Sequence, residues 1–210
     1  MVKVVSMKTV RGKVTVELDN GRRYHLKPAD LVGFPISEDT EIDEAVFERK
    51  ILLSQYPEAL NTAVAMLARR ACSRKEIRDK LLSRGWCEET ADMVLTKLDQ
   101  KNLLDDREFS DQWARYRSSG HYGTNRIYRE LRFKGVDEET ARAAVGSLDE
   151  EEQLNAAFDY AVKASSRSKP GEDIRKSRSR VMQSLVRRGF SWEIARAACG
   201  RVFDPDDDDE

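Results

Sequence analysis

Two hydrophobic rhythms divide this chain. Through residue 27 the rhythm has a period of two. Val14, Val16 and Leu18 alternate with Lys13, Thr15 and Glu17, and Tyr24 and Leu26 alternate with Arg23 and His25. Such alternation puts the apolar set on one face of a strand. Asn20-Gly21 separates the two runs, and that dipeptide predicts a hairpin turn with both central residues at positive φ. Val2, Val4 and Val5, ahead of Gly12, extend the pattern to a third strand. A lone hairpin is marginal in water, so this one is expected to pack against the adjoining helices. Pro28–Val32 reads as a helical turn ended by Gly33-Phe34-Pro35. A helix follows from Asp43 to about Gln55, with Val46, Phe47, Ile51 and Leu52 apolar.

Beyond residue 57 the rhythm is helical, and it repeats. A cation followed by glycine occurs three times, at Arg84-Gly85, Lys134-Gly135 and Arg188-Gly189. Ahead of each glycine lies a matched apolar pair four residues apart: Ile77 and Leu81, Ile127 and Leu131, Val181 and Leu185. That step keeps each pair on one helix face. Glycine then ends the helix because it adopts the left-handed conformation readily, and the cation suits the helix's negative end. An apolar residue follows (Trp86, Val136, Phe190), then an N-cap position filled by Cys87, Asp137 and Ser191. Cysteine caps poorly, so the first copy is expected to start its next helix less firmly. Each copy also has a leading helix, near Glu58–Arg70, Arg107–Arg117 and Glu150–Ser165. Ser73 and Glu76 form a capping box.

The expected fold class is therefore mainly α: three tandem three-helix repeats forming an elongated, curved array, with a small N-terminal antiparallel β-hairpin or sheet extension. The expected divisions are residues 1–56 for the extension and its connecting helix, 57–105, 106–149 and 150–203 for the repeats, and 204–210 for an acidic tail. The last connector, 166–173, is expected to be mobile.

Charge adds a direction to this picture. The net charge is −1, but its distribution is uneven. Residues 57–203 carry 28 basic and 23 acidic side chains, whereas residues 204–210 carry six acidic and no basic ones. A basic body suggests an anionic partner, and an acidic tail can compete for the same surface. No apolar run approaches a membrane span, and the first residues lack a secretory pattern. The three cysteines show no CxxC spacing, so a disulfide scaffold, a zinc site or any other cofactor is not expected. A soluble cytoplasmic monomer fits.

No enzyme motif stands out. Phosphate-loop and dinucleotide glycine patterns are missing, and the two histidines, His25 and His121, have no local nucleophile. Asp105-Asp106 could pair as acid and base or bind a metal, but Asp106 as N-cap of a helix opening at Arg107 is the simpler reading. The basic residues carry more information. Arg115, Arg117, Arg126, Arg129, Arg132 and Lys134 cluster in the second repeat with Tyr122, and Arg178, Arg180, Arg187 and Arg188 in the third. These eleven are the expected partner-binding or DNA-binding residues, because arginine and tyrosine grip interfaces and phosphates. Glu130, Glu138 and Glu139 partly neutralise them.

MLARRACSRKEIRDKLLSRGW, LLDDREFSDQWARYR and GHYGTNRIYRELRFKGVDEETARAAV together resemble the RecX family of recombination regulators over residues 59–148. The resemblance rests on Leu67 to Arg70, Ser73 with Glu76, Asp105 to Phe109, and the run Gly123, Ile127, Leu131, Gly135. It implies three three-helix repeats and no enzymatic activity of the chain itself. The partner it implies is the RecA recombinase filament on DNA. There such a protein lies in the groove and limits filament extension, ATPase, strand exchange and coprotease activity, and with them recombination, repair and the SOS response. Contact with single-stranded or duplex DNA stays open. The rival is a direct DNA-binding module of helix–turn–helix type. The short form of the family lacks the N-terminal hairpin, although longer members carry such extensions; the acidic tail is not carried over from the family, and Ser110 stands where alanine is more usual.

Overall fold

The computed structural model describes residues 1–167 and 173–204. The connector expected to be mobile lies largely outside the described residues, as does the acidic tail beyond Asp204. The chain forms two compact units, the first Met1–Leu104 and the second beginning at Asp105.

The first unit opens with a sheet. Strands β1 (Val2–Val10), β2 (Lys13–Leu18), β3 (Arg23–Leu26) and β4 (Glu41–Ile42) are antiparallel in the order β3-β2-β1-β4. The alternating apolar residues face one way, and Val4, Val14, Val16, Leu18, Tyr24 and Leu26 are buried with Ile42, Phe47 and Ile51. β4 has only two residues and no sequence signature. The turns reverse the expectation. Arg11 and Gly12 both take positive φ, 50° and 76°, and form the two-residue turn between β1 and β2. In the Asn20-Gly21 loop only Gly21 does, at 84°. There Gly21 donates to the Leu18 carbonyl at 3.0 Å and Leu18 donates to the Arg22 carbonyl at 2.9 Å. This is a three-residue loop, a type I turn ending in one left-handed glycine.

The two helices expected at 43–55 and 58–70 are one, α1 (Glu44–Leu67), which runs through Pro57. Proline removes one backbone donor. Against that, Phe47, Ile51, Gln55, Ala59 and Ala63 form a continuous buried stripe at four-residue steps. Its first half covers the sheet and its second half belongs to the first repeat. There it packs with α2 (Arg74–Ser83) and α3 (Glu88–Gln100) around Ile77, Leu81, Trp86, Ala91 and Leu98. The capping box is present, with Glu76 N–H donating to Ser73 and Ser73 N–H to Glu76.

The second unit holds the other two repeats: α4 (Asp106–Ser119), α5 (Thr124–Phe133) and α6 (Glu138–Gly146), then α7 (Glu150–Ser165), α8 (Ile174–Arg187) and α9 (Trp192–Phe203). The N-cap of α4 is Asp105, not Asp106; its carboxylate accepts from the Arg107 and Glu108 amides, both at 2.9 Å. The corner glycines Gly85, Gly135 and Gly189 have φ of 89°, 86° and 92°. After each, the buried apolar residue donates its N–H back across the corner, as Val136 does to the Leu131 carbonyl and Phe190 to the Leu185 carbonyl. Asp137 and Ser191 cap their helices through the side chain and Cys87 does not.

Candidate partner-binding surface

The second unit's cations fall into groups with different jobs. The first group is built around the Tyr122 ring. The guanidinium carbons of Arg117, Arg126 and Arg188 lie 3.8, 4.5 and 4.6 Å from its centroid. Arg117 also makes two 2.6 Å hydrogen bonds to Glu130, and Arg126 makes one of 3.0 Å. Burial alone would raise the Glu130 carboxyl's pKa; the hydrogen bonds from Arg117 and Arg126 reverse that and hold it below the usual range. The same pairing with Glu130 pushes the Arg117 guanidinium up.

Arg188 has an internal role too. It donates to the carbonyls of Gly120 and His121, at 3.3 and 2.9 Å, and its guanidinium lies 4.1 Å from the Tyr160 ring. The backbones beneath it touch. Gly123 N–H donates to the Arg188 carbonyl and Asn125 N–H to the Gly189 carbonyl, both at 3.1 Å. Arg117, Tyr122 and Arg188, expected as partner contacts, therefore tie the second repeat to the third. Sequence reasoning placed the two arginines by charge and named Glu130 as a partial neutraliser, but could not see the Tyr160 ring and the two carbonyls that Arg188 meets.

The second group lines an open cleft of about 360 Å³ between α5 and the end of α8. Its walls are Arg126, Arg129, Glu130, Phe133, Lys134 and Arg187. Four cations thus surround one carboxylate that Arg117 already engages. Arg126, Arg129 and Phe133 share a face because they stand at steps of three and four along α5. Arg129 and Arg187 are exposed and form no ion pair among the described residues. Phe133, 78% exposed, was missed. Its signal was a ring set off the buried Ile127–Leu131 stripe, among arginines. Lys134 lies 4.0 Å from the Trp113 ring centroid.

The remaining expected residues stand apart. Arg132 donates to the Val136 carbonyl at 2.6 Å and braces the corner. Arg115 lines a separate hollow between α4 and α7 with His121, Glu152 and Asp159. Arg178 is paired with Asp204, and Arg180 reaches Ser177. No group of three or more His, Cys, Asp or Glu suited to a metal occurs among the described residues. No described helix is long and apolar enough to cross a membrane.

Comparison with known proteins gives one answer along the whole chain. Residues 59–98, 105–145 and 150–199 match the models of the RecX first, second and third three-helix domains. The regulatory protein RecX of Bacillus licheniformis is 28% identical over 211 residues, which cover 98% of this chain and 78% of that protein. That of Amycolatopsis mediterranei is 33% identical over 143 residues, covering 67% and 81%. A crystal structure of a regulatory protein RecX superposes with a TM-score of 0.63 at 23% identity, covering 93% of this chain and 98% of that one. The crystal structure of RecX from Lactobacillus salivarius gives 0.61 at 24%, covering 70% and 96%. With three domain models matched in order, and the repeats they describe folded as helical triplets, this chain belongs to the RecX family of regulatory proteins.

Proposed function

We propose that this protein regulates the RecA recombinase by binding its filament on DNA and restraining filament extension, ATP hydrolysis, strand exchange and coprotease activity. It thereby tempers recombination and the SOS response. Family membership supports the regulatory role. The observation that carries the mechanism is the α5–α8 cleft, where Arg126, Arg129, Lys134 and Arg187 are collected around Phe133. Such a cleft suits an assembly presenting carboxylates and phosphates in a regular row, since each adds to a field that screening shortens but does not remove at contact. In this reading the Tyr122 group is the frame that fixes the cleft's two walls, and it need not touch the partner.

The deciding measurement is RecA ATPase on single-stranded DNA, titrated with this protein. The rate is expected to fall with added protein. Arg129→Glu with Arg187→Glu is expected to weaken inhibition by roughly tenfold or more, about 1.4 kcal/mol, at unchanged helicity. These two are preferred over Arg126 and Arg132, which serve Glu130 and the Val136 carbonyl. An ATPase rate that stays constant under excess protein overturns the proposal. Phe133 beside arginines also suits base stacking, the observation that favours direct DNA binding as the second reading. Tight, salt-sensitive binding to duplex DNA with no RecA present would favour that one.

A further inference from the structure

A second basic cleft lies on the third repeat, away from the α5–α8 one. It has a volume of about 610 Å³ and is lined by Arg178 of α8 and by Trp192, Glu193, Arg196 and Arg201 of α9, with Asp204 at its edge. Trp192 is 60% exposed. The charge placement here breaks a local rule. Arg175 and Lys176 occupy the first turn of α8, where the helix dipole disfavours cations; Arg178 lies one turn on, and among the described residues the N-cap Asp173 is the one acidic residue at that end of the helix. At the end of α9 stands Asp204, a carboxylate at the helix end that disfavours it. The Asp204 carboxylate accepts from the Arg178 guanidinium, which offsets the charge at the end of α9. The Asp204 N–H is held in turn by the Gly200 carbonyl at 2.8 Å.

That contact holds the last described residue, Asp204, against α8. Pro205 follows, then Asp206, Asp207, Asp208, Asp209 and Glu210. Extended chain covers about 3.3–3.6 Å per residue, so Asp206 reaches about 7 Å beyond Asp204 and Glu210 about 20 Å. Arg196 and Arg201 line the same cleft as Arg178 and Asp204.

We infer that the α8–α9 cleft is a binding site for an acidic peptide, and that its occupant is this chain's own residues 206–210. Asp204 is the first of a row of carboxylates, and the cations of α8 and α9 receive the rest. A tethered segment faces its site at an effective concentration near millimolar, so contacts too weak to act between molecules suffice within one. The acidic segment then withholds the third repeat's cations from anions in solution and offsets the repulsion among them. This site needs no assumption about which partner the protein regulates.

The test uses the full chain, a chain ending at Asp204, and a chain with Asp206→Asn, Asp207→Asn, Asp208→Asn and Asp209→Asn together. Two-dimensional NMR follows the Trp192 indole and the α9 amides, with Trp192→Phe assigning the indole signal. At about 20 mM salt, truncation and the four-asparagine variant should both shift Trp192, Arg196 and Arg201, and in the same direction. At about 0.5 M salt the three proteins should converge, because screening acts within a few ångströms there. Shifts confined to Val202–Asp204, shifts that persist at high salt, or an asparagine variant that matches the full chain would each overturn the inference.

Discussion

Two junctions in this protein solve one problem by different means. The sheet is joined to the first repeat through side chains. Gln55, 1% exposed on α1, donates to the Asp30 carboxylate at 2.7 Å and accepts from the Cys87 N–H at 3.0 Å and the Thr90 hydroxyl at 3.1 Å. One amide thus ties the turn after β3, the long helix and the α2–α3 corner. The second repeat is joined to the third with backbone against backbone beneath the Arg188 side chain, Gly123 and Asn125 donating to the Arg188 and Gly189 carbonyls. A Cβ on Gly123 would stand 2.1 Å from the Phe190 nitrogen, and one on Gly189 would stand 2.4 Å from the Arg126 Cβ. A junction of side chains can be weakened by degrees, whereas one of backbones leaves no room for an added atom.

The largest expected effect follows from that difference. Gly123→Ala places a methyl group inside a neighbouring backbone and should destabilise the second unit by about 3 kcal/mol or more, an overpacking effect at its upper end. The φ of Gly123 is −80°, so the loss would be steric rather than conformational. Urea unfolding measures it, and hydrogen exchange at the Asn125 amide reports whether the junction opens first. Gly200→Ala in α9, where nothing lies within 4 Å of the added atom, is the control. It should stabilise by about 0.5–1 kcal/mol, as glycine-to-alanine does within helices. Equal responses from the two variants would mean that the junction is not tight.

Next in size is Gln55→Leu. It keeps the volume but leaves the Asp30 carboxylate, the Cys87 N–H and the Thr90 hydroxyl without this partner. Each unmet buried group costs about 1–3 kcal/mol, and partial relaxation should bring the total to about 2–3 kcal/mol. The measurement is the unfolding free energy of the first unit, followed by Trp86 fluorescence in a Trp113→Phe, Trp192→Phe background. A loss below about 0.5 kcal/mol would show the hub to be dispensable.

These two junctions also mark how far the sequence could be read. Whatever repeats along the chain was legible: the paired apolar positions, the cation–glycine corners and the caps at Asp137 and Ser191. Each is set by residues within one or two turns of one another, and three copies reinforce one reading. What joins distant segments was not. Gly123 gave no sign of a backbone 66 positions away, and Gln55 reads as a polar break in an apolar stripe rather than as its hub. Arg117 and Arg188 were expected as partner contacts, and a cation's type does not tell that Glu130 and two carbonyls of the same chain already engage them. The break expected between Gln55 and Glu58 is crossed by one helix, because the buried stripe runs on from Ile51 through Gln55 to Ala59 past Pro57.

The smallest effect concerns Cys87, which sits at the side-chain junction. In the other two repeats the equivalent residue caps its helix, Asp137 accepting from the Thr140 N–H at 2.8 Å and Ser191 from the Ile194 N–H at 3.2 Å. Cys87 makes no such bond; its thiol lies 3.0 Å from the Thr90 hydroxyl instead, and burial pushes its pKa up. Cys87→Ser supplies the missing acceptor for the Thr90 N–H while leaving the Cys87 backbone bond to Gln55 in place. The gain should be about 0.5–1 kcal/mol, within the usual range for a cap, and should appear as a higher urea midpoint with an unchanged slope. In a Gln55→Leu background the gain should shrink, because the corner that presents residue 87 is then no longer held. A gain of equal size in both backgrounds would show that cap and hub act independently, and that the first repeat's corner keeps its shape without the Gln55 amide.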